Sequence, residues 1–315
     1  MAGAADSRPV YQSTPVLDLL LEASKPRRES LPHFLILDEM NLSHVERYFA
    51  DFLSAMEARS GAIRFHDEGD FRLPRFEGDT VGVPRSMPYP QNLFVIGTVN
   101  VDETTYMFSP KVLDRAHVIE FEVDPKDVKA FLDDPKTLQP VPRAAAGQAE
   151  AFLQLSLQAR GAKEPPLPDL PPVVKNGVNR HLLEVLEILQ NGRLEFAFRT
   201  AKEVVAYLKV SCELAADKAE WESNKWKSDL DDEILQKILP KIHGSKRRLE
   251  GLLVRLARYC ETGTVPKKED STPADYQSSP VKRADAAKRE FSRSYDKLCD
   301  MIDTVRRDQF VSFIH

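Results

Sequence analysis

Three short apolar runs constrain what the first 130 residues can fold into. Residues 31–41 (LPHFLILDEMN), 92–100 (NLFVIGTVN) and 117–123 (HVIEFEV) are each rich in apolar residues, and helix-like stretches separate them. Runs of this kind mark strands buried on both faces, as in the parallel layer of an α/β domain. The helix after the first run is signalled by Ser43 with Glu46 three residues on, the spacing of a capping box. Val45, Tyr48, Phe49, Phe52, Leu53 and Met56 then recur at helical spacing and give that helix one apolar face. Residues 60–91 are punctuated by Gly and Pro. There Ile63 and Phe65 alternate with Arg64 and His66, and Phe71 and Leu73 flank Arg72 after the turn-like Asp67-Glu68-Gly69-Asp70. The pattern reads either as a β-hairpin projecting from the sheet or as a surface loop.

The character of the chain changes near residue 125. Pro135, Pro140, Pro142, Pro165, Pro166, Pro168, Pro171 and Pro172 crowd residues 133–172 around one short helix, the composition of a linker. Helices are expected beyond it at 179–190, after Thr200 (where Glu203 completes a second capping box), at 230–239, 246–261 and 281–306. The last has Pro280 at its first turn, and Phe291, Tyr295, Leu298, Ile302 and Val305 share one face. Residues 262–279 read as a loop. A length of 315 residues suits two domains. The expected division is an α/β part over 1–130, a Pro-rich linker with a short helix over 131–177, and a helical part over 178–315.

Composition excludes several classes. With 42% apolar and 30% charged residues, the chain can bury a core in water. Lys and Arg total 44 against 49 Asp and Glu, and the net charge of −5 argues against coating nucleic acid by bulk electrostatics. A local basic patch remains open. Lys241, Lys246, Arg247, Arg248, Arg255 and Arg258 gather around one helix with Glu250 against them. That face either touches nucleic-acid phosphate or, as the acidic balance favours, is a solvated surface or meets an acidic neighbour. No apolar run approaches the roughly 20 residues of a membrane helix, and MAGAADSRPVYQ lacks the apolar core of a signal peptide. A cytoplasmic location is therefore expected. Cys212, Cys260 and Cys299 are odd in number and widely spaced, which points to buried reduced thiols rather than disulfides or zinc.

The chemistry concentrates at the strand ends. Phe34-Leu35-Ile36-Leu37 leads into Asp38-Glu39, which places two carboxylates at the carboxyl end of a buried strand, the edge where open α/β sheets bind ligands. One carboxylate there can hold Mg²⁺ through water while the next orients an attacking water; a strand-end acid that merely caps a helix is the alternative. The second run ends in Gly97-Thr98-Val99-Asn100, and the Asn amide can both donate and accept. Arg115, in Lys111-Val112-Leu113-Asp114-Arg115 before the third run, is suited either to stabilise phosphoryl charge across a subunit boundary or to pair with Asp114 on the surface.

The order of these segments resembles an AAA+ nucleotide hydrolase, and more narrowly the McrB-like family, the NTP-driven motor subunits of modification-dependent restriction systems. The resemblance rests on LILDEMNLSHVERYFADFLSAME, LFVIGTVNVDETTYMFSPKVLDRAHVIEFEV, FAFRTAKEVVAYL and ILPKIHGSKRRLEGLL. It implies an α/β fold: a partial AAA+ parallel-sheet domain whose 60–91 hairpin is a pre-sensor-1 insert, followed by an all-α lid and C-terminal helices. By position it implies that Asp38 and Glu39 are the Walker B pair, with Asp38 holding the Mg²⁺ shell and Glu39 polarising the lytic water. Asn100 matches sensor 1, Arg115 the finger that reaches a neighbour's nucleotide, and Arg199 the sensor-2 position on the lid. Asp102 matches the acidic position after sensor 1, with Val101 alone intervening where the family usually has two residues. The implied cofactor is Mg²⁺ with ATP or GTP. The implied partners are neighbours in a homo-oligomeric ring or a P-loop-bearing chain, and a nuclease subunit; direct DNA contact is not the favoured expectation.

One part of that engine is missing. A P-loop reads GxxxxGK[ST], so that backbone amides cradle the phosphates and Lys meets their charge. None of the 13 glycines here is followed by Lys, and too few residues precede the acidic strand to hold a strand, P-loop, helix and second strand. A truncated frame, half of a split motor or a degenerate homologue each accounts for this, the first being the leading expectation. Two functions follow: an NTP-hydrolysing motor piece incompetent alone, or a non-catalytic assembly module built on the same fold.

Overall fold

The computed structural model describes residues 11–26, 30–57, 61–67, 72–76, 79, 82–100, 106–121, 123–135, 141–143, 145, 147–267 and 284–314. The chain is mixed α/β and divides into two compact units. One comprises Met1–Val112 with Ala144–Leu157, the other Leu113–Arg143 with Gln158–His315. The division thus assigns residues 113–130 to the helical side rather than to the α/β side expected from the pattern. Among the described residues, no helix is long and apolar enough to cross a membrane.

The first unit runs through α1 (Pro15–Ala23), β1 (His33–Leu37), α2 (Val45–Tyr48), α3 (Ala50–Glu57), β2 (Ala62–Arg64), β3 (Ser86–Pro88) and β4 (Leu93–Gly97). Helix α4 (Pro110–Leu113) reaches its boundary, α5 (Pro125–Asp133) belongs to the second unit, and α6 (Gln148–Ala159) returns to the first. Thr14 caps α1 by accepting the Leu17 amide at 3.2 Å, and Pro15 occupies the first helical position, where its missing N–H costs nothing. The buried Leu17, Leu20 and Leu21 face a core shared with Leu35, Val45, Phe49, Leu53 and Leu93. Strands β1 and β4 pair in parallel, from His33↔Leu93 to Leu37↔Gly97. This register puts Phe34, Phe94, Ile36 and Ile96 on one face. Phe152 of α6 packs 5.1 Å from the Phe94 ring and 6.1 Å from the Phe34 ring, but Phe34, Ile36 and Ile96 remain 48%, 64% and 47% exposed.

Several expectations need correction. The 117–123 run holds no strand among its described residues. Its Val118 amide donates to the Gln236 carbonyl at 2.9 Å, and Phe121 is 93% exposed. Extended backbone without a neighbouring strand has no ladder to join. In the insert, β2 pairs antiparallel with β3 (Ile63↔Met87) rather than with 71–73, and Leu73 bridges to Val83 instead. Ile63, Met87, Leu73 and Val83 are all buried, so apolar burial rather than the local turn sets this pairing. Phe71 and Gly69 lie outside the described residues. The Ser43–Glu46 capping box does not form: α2 starts from His44, and Glu46 accepts the Ser109 amide at 3.0 Å. Nor does the Thr200–Glu203 box. Helix α8 starts at Phe198, Thr200 accepts from Lys241 Nζ at 2.8 Å, and Glu203 pairs with Lys237. In both places tertiary donors replace the local ones.

The second unit packs α7 (Pro172–Gln190), α8 (Phe198–Leu214) and a continuous rod from Lys218 to Lys241 against α11 (Lys246–Thr262) and α12 (Ser292–Asp308). The rod comprises α9 (Lys218–Glu220), a π-helical turn (Trp221–Lys225), α10 (Trp226–Glu233), a second π turn (Ile234–Ile238) and a 3₁₀ turn (Leu239–Lys241). Leu249, Leu252, Leu253 and Leu256 of α11 are buried with Tyr295, Leu298, Ile302 and Val305 of α12, as their spacing predicts. Gly177 sits in mid-helix because a Cβ there would meet the Trp226 ring at 2.6 Å. The unit is not all-α: β5 (His243–Ser245) pairs antiparallel with β6 (Phe310–Ser312), which the short HGS and FVS segments do not advertise. The last helix begins at Ser292 rather than 281, and Pro280 lies outside the described residues. Cys260 and Cys299 are buried free thiols and Cys212 is a half-buried one.

A buried polar network crosses this core. His181, fully buried, lies 2.7 Å through Nδ1 from the Tyr259 hydroxyl, which is itself 2.8 Å from Glu184. Arg180 Nη2 is 2.8 Å from His181 Nε2, and Glu290 carries an ion pair with Lys227 beside them. Burial, reinforced by the Arg180 charge, pushes His181 down to about 4. The imidazole is therefore neutral in the fold and protonates in the unfolded chain below its ordinary value of 6.5. Stability is fully present above pH 6.5 and is lost as pH falls from there towards 4, by about 3 kcal/mol at one pKa unit per 1.36 kcal/mol. Urea unfolding should show this decline, and His181→Gln should flatten it. By the same assay, Leu253→Ala should cost about 2–5 kcal/mol, the range for emptying a packed leucine site.

Candidate functional site

The carboxyl ends of β1 and β4 meet in a small set of polar side chains. The Thr98 amide donates to the Leu37 carbonyl at 2.9 Å and the Met40 amide to the Thr98 carbonyl at 2.8 Å, which carries the pairing one step past the strands. Thr98 then serves both acids. Its hydroxyl donates to Asp38 Oδ1 at 2.5 Å and accepts the Glu39 amide at 2.9 Å. Glu39 has φ 51° and ψ 48°, a left-handed conformation that a residue with a Cβ rarely takes without surrounding support. That turn sends the side chain to Asn100, whose Nδ2 donates to Glu39 Oε1 at 3.0 Å. Asp38, Glu39, Thr98 and Asn100 are all exposed.

Beneath them lies Asn41, only 3% exposed. Its Nδ2 donates to the Asn100 carbonyl at 3.0 Å, and its own carbonyl accepts the Tyr106 amide at 3.0 Å. Asn41 therefore ties down Asn100 and Tyr106, the described residues on either side of 101–105. Tyr48 donates to the Met40 carbonyl at 3.0 Å and steadies the same turn.

The donor set fits one half of the implied cofactor. Thr98 holds one Asp38 oxygen on a solvent-exposed carboxylate. Mg²⁺ keeps most of its waters and needs only one or two carboxylates. Among the described residues, no group of three or more His, Cys, Asp or Glu side chains is placed to hold a metal by itself. The residues thus suit a hydrated Mg²⁺ arriving with phosphates. No Gly-Lys pair stands in the sequence.

The structure brings together Asp38, Glu39 and Asn100. Arg115 and Arg199 are carried by the second unit, Arg115 half-buried just after α4 and Arg199 half-buried as the second residue of α8. Asp102 lies outside the described residues. The basic helix α11 is partly committed to internal contacts. Arg248 donates to the Gly192 carbonyl at 3.1 Å, just past the end of α7, Arg258 pairs with Glu261 at 2.6 Å, and Glu250 takes Arg306 at 2.7 Å.

Sequence reasoning did not single out Thr98 and Asn41. Each stands in a segment already marked, two residues from Asn100 and two from Glu39, but a hydroxyl or amide gives no signal of its bonding partners until the strands are in register.

Fold and site together define a mixed α/β protein with a carboxylate–amide site at the ends of two parallel strands and a separate helical unit. Residues 151–310 match the family described as "Domain of unknown function (DUF8727)", and the chain belongs to that family. The matched stretch contains α7 to α12 and excludes Asp38, Glu39 and Asn100. No curated protein and no solved structure matches the chain.

Thr98→Val removes the acceptor of the Glu39 amide but leaves the carbonyl that serves Met40. A hydrogen bond worth about 1 kcal/mol corresponds to roughly five-fold in exchange. NMR should therefore show the Glu39 amide exchanging roughly five-fold faster while the Met40 amide is unchanged.

Proposed function

We propose that this chain is the acid-and-sensor part of a McrB-like AAA+ motor subunit that hydrolyses ATP or GTP, with its phosphate cradle supplied from outside these 315 residues. The observation that carries the reading is the 3.0 Å bond from Asn100 to Glu39, made across adjacent parallel strands by a glutamate held in a left-handed turn. An amide aimed at a carboxylate can share a water with it, which is what orienting an attacking water requires. In this reading Asp38 holds the Mg²⁺ shell, Glu39 polarises the water and Asn100 orients it. Arg115 reaches the nucleotide of a neighbour, Arg199 serves from the lid, and Asp102 keeps the acidic role that the resemblance implies. Mg²⁺ would supply charge neutralisation on the phosphates.

The exposed sheet face supports a missing companion. Parallel strands are ordinarily covered on both faces, yet Phe34, Ile36 and Ile96 are about half open. Ring neighbours or a P-loop-bearing chain are the partners this suits, with a nuclease subunit downstream and the DNA read by other chains. The second reading is a non-catalytic assembly module. It draws on the absence of Gly-Lys and on a family match confined to 151–310.

The test is to extend the reading frame upstream to any in-frame GxxxxGK[ST] and assay the longer chain. That form should hydrolyse ATP or GTP, and Glu39→Gln should lower kcat at least 100-fold. The 315-residue chain alone should show no turnover above its own Glu39→Gln control. Turnover that survives Glu39→Gln in the longer chain would sink the motor reading.

A further inference from the structure

Lys237 is 1% exposed, an unusual fate for an ammonium group. It sits in the second π turn, and its Nζ meets three acceptors. One is the Glu203 carboxylate; the others are the carbonyls of Asp114, at 3.1 Å, and Ala116, at 3.0 Å. The ammonium has three N–H donors, and these three partners account for all of them. The two carbonyls belong to the residues on either side of Arg115.

Further bonds tie the same short segment to the helical rod. Lys241 pairs with the Asp114 carboxylate at 2.6 Å. His117 Nε2 lies 3.1 Å from Glu233, which is completely buried. The Val118 amide donates to the Gln236 carbonyl at 2.9 Å, and Lys297 of α12 pairs with Glu120. Five of the seven positions from 114 to 120 are thus anchored, and the peptide that bears Arg115 is held from both sides. A buried cation is a costly way to hold a surface turn. Packing would not require it, since Leu113 and Val112 next door are already buried.

We infer that Lys237 is the positioning residue for Arg115: its buried ammonium fixes the backbone on both sides of the arginine, so that the guanidinium is presented from a rigid peptide. Lys241 and Glu233 complete the clamp. The inference rests on the reading of Arg115 as a residue that acts on a neighbour's nucleotide. It adds that the helical unit sets the arginine's placement. A flexible arginine would spread over many orientations, whereas a preorganised one meets developing charge without further ordering.

Hydrogen exchange on the 315-residue chain tests the clamp without any nucleotide. In the unaltered chain the Val118 amide should be protected to the level of neighbouring amides in α10; exchange at the free-peptide rate overturns the clamp. Lys237→Met should speed exchange across 114–118 at least ten-fold while interior amides of α11 and α12 keep their rates. Should that variant fail to fold, Lys241→Met, which leaves the buried ammonium in place, should raise exchange over the same residues about three-fold; no change there overturns the clamp. The P-loop-bearing form then tests the function. Lys237→Met and Arg115→Ala should each lower kcat at least 30-fold with KM changed less than three-fold, and the double variant should fall within two-fold of Arg115→Ala. Multiplicative losses mean that Lys237 acts elsewhere and refute the positioning role. Full turnover in Arg115→Ala refutes the reading of Arg115 itself, a result distinguishable from a failed clamp because the exchange data stand apart from it.

Discussion

A buried ammonium with every donor satisfied organises the second unit. Lys237 brings Glu203 of α8 and the carbonyls of residues 114 and 116 to one point on the rod. Removing such a charge from water costs several kcal/mol, and only close, complete pairing offsets that cost. The need for three partners is therefore a constraint on geometry: α8, the rod and the segment after α4 have to converge within hydrogen-bond reach. The segment after α4 thus groups with the helices although its 117–123 run reads as a further strand of the sheet. Burial lowers the Lys237 pKa, and the Glu203 carboxylate is the partner that most opposes the shift.

Much of the fold was legible where apolar spacing and burial coincide. Residues 33–37 and 93–97 form adjacent parallel strands, and the leucine and aromatic stripes of α11 and α12 face the core as their period requires. What escaped has a common cause in long-range bonding. Glu46, Thr200 and Glu203 carry the spacing of capping boxes, yet each found a partner far away in sequence. Local propensity names groups able to cap and is silent about a better offer from a distant lysine or amide. The 117–123 run shows the converse. Its alternation is that of a strand, but strand formation needs an edge to pair with, and the sequence of the segment does not contain its neighbour.

The site was legible in part for similar reasons. Asp38, Glu39 and Asn100 follow from their places at the ends of apolar runs, and they converge because β1 and β4 are neighbours in register. Thr98 and Asn41 make the arrangement specific. Thr98 links both acids through one oxygen, and Asn41 fixes the backbone under Asn100. Their contribution arises from the left-handed turn at Glu39, a backbone property with no residue-type signature in a glutamate.

The two π turns that bracket α10 make the rod sensitive to length as well as composition. In an α-helix each residue advances the side-chain direction by about 100°, and a π turn accommodates one residue more than the regular helix would. The turn at 234–238 therefore resets the angular phase between Glu233 and Lys237, and both end up buried, one against His117 and the other against the 114 and 116 carbonyls. Losing one residue there would return the turn to regular helix and change the angle between Glu233 and Lys237, so that the two could not both keep their present partners. In evolutionary terms the half-buried positions between these anchors, Leu235 and Gln236, should tolerate exchange of side chains more readily than insertion or deletion, the reverse of what holds for an ordinary loop.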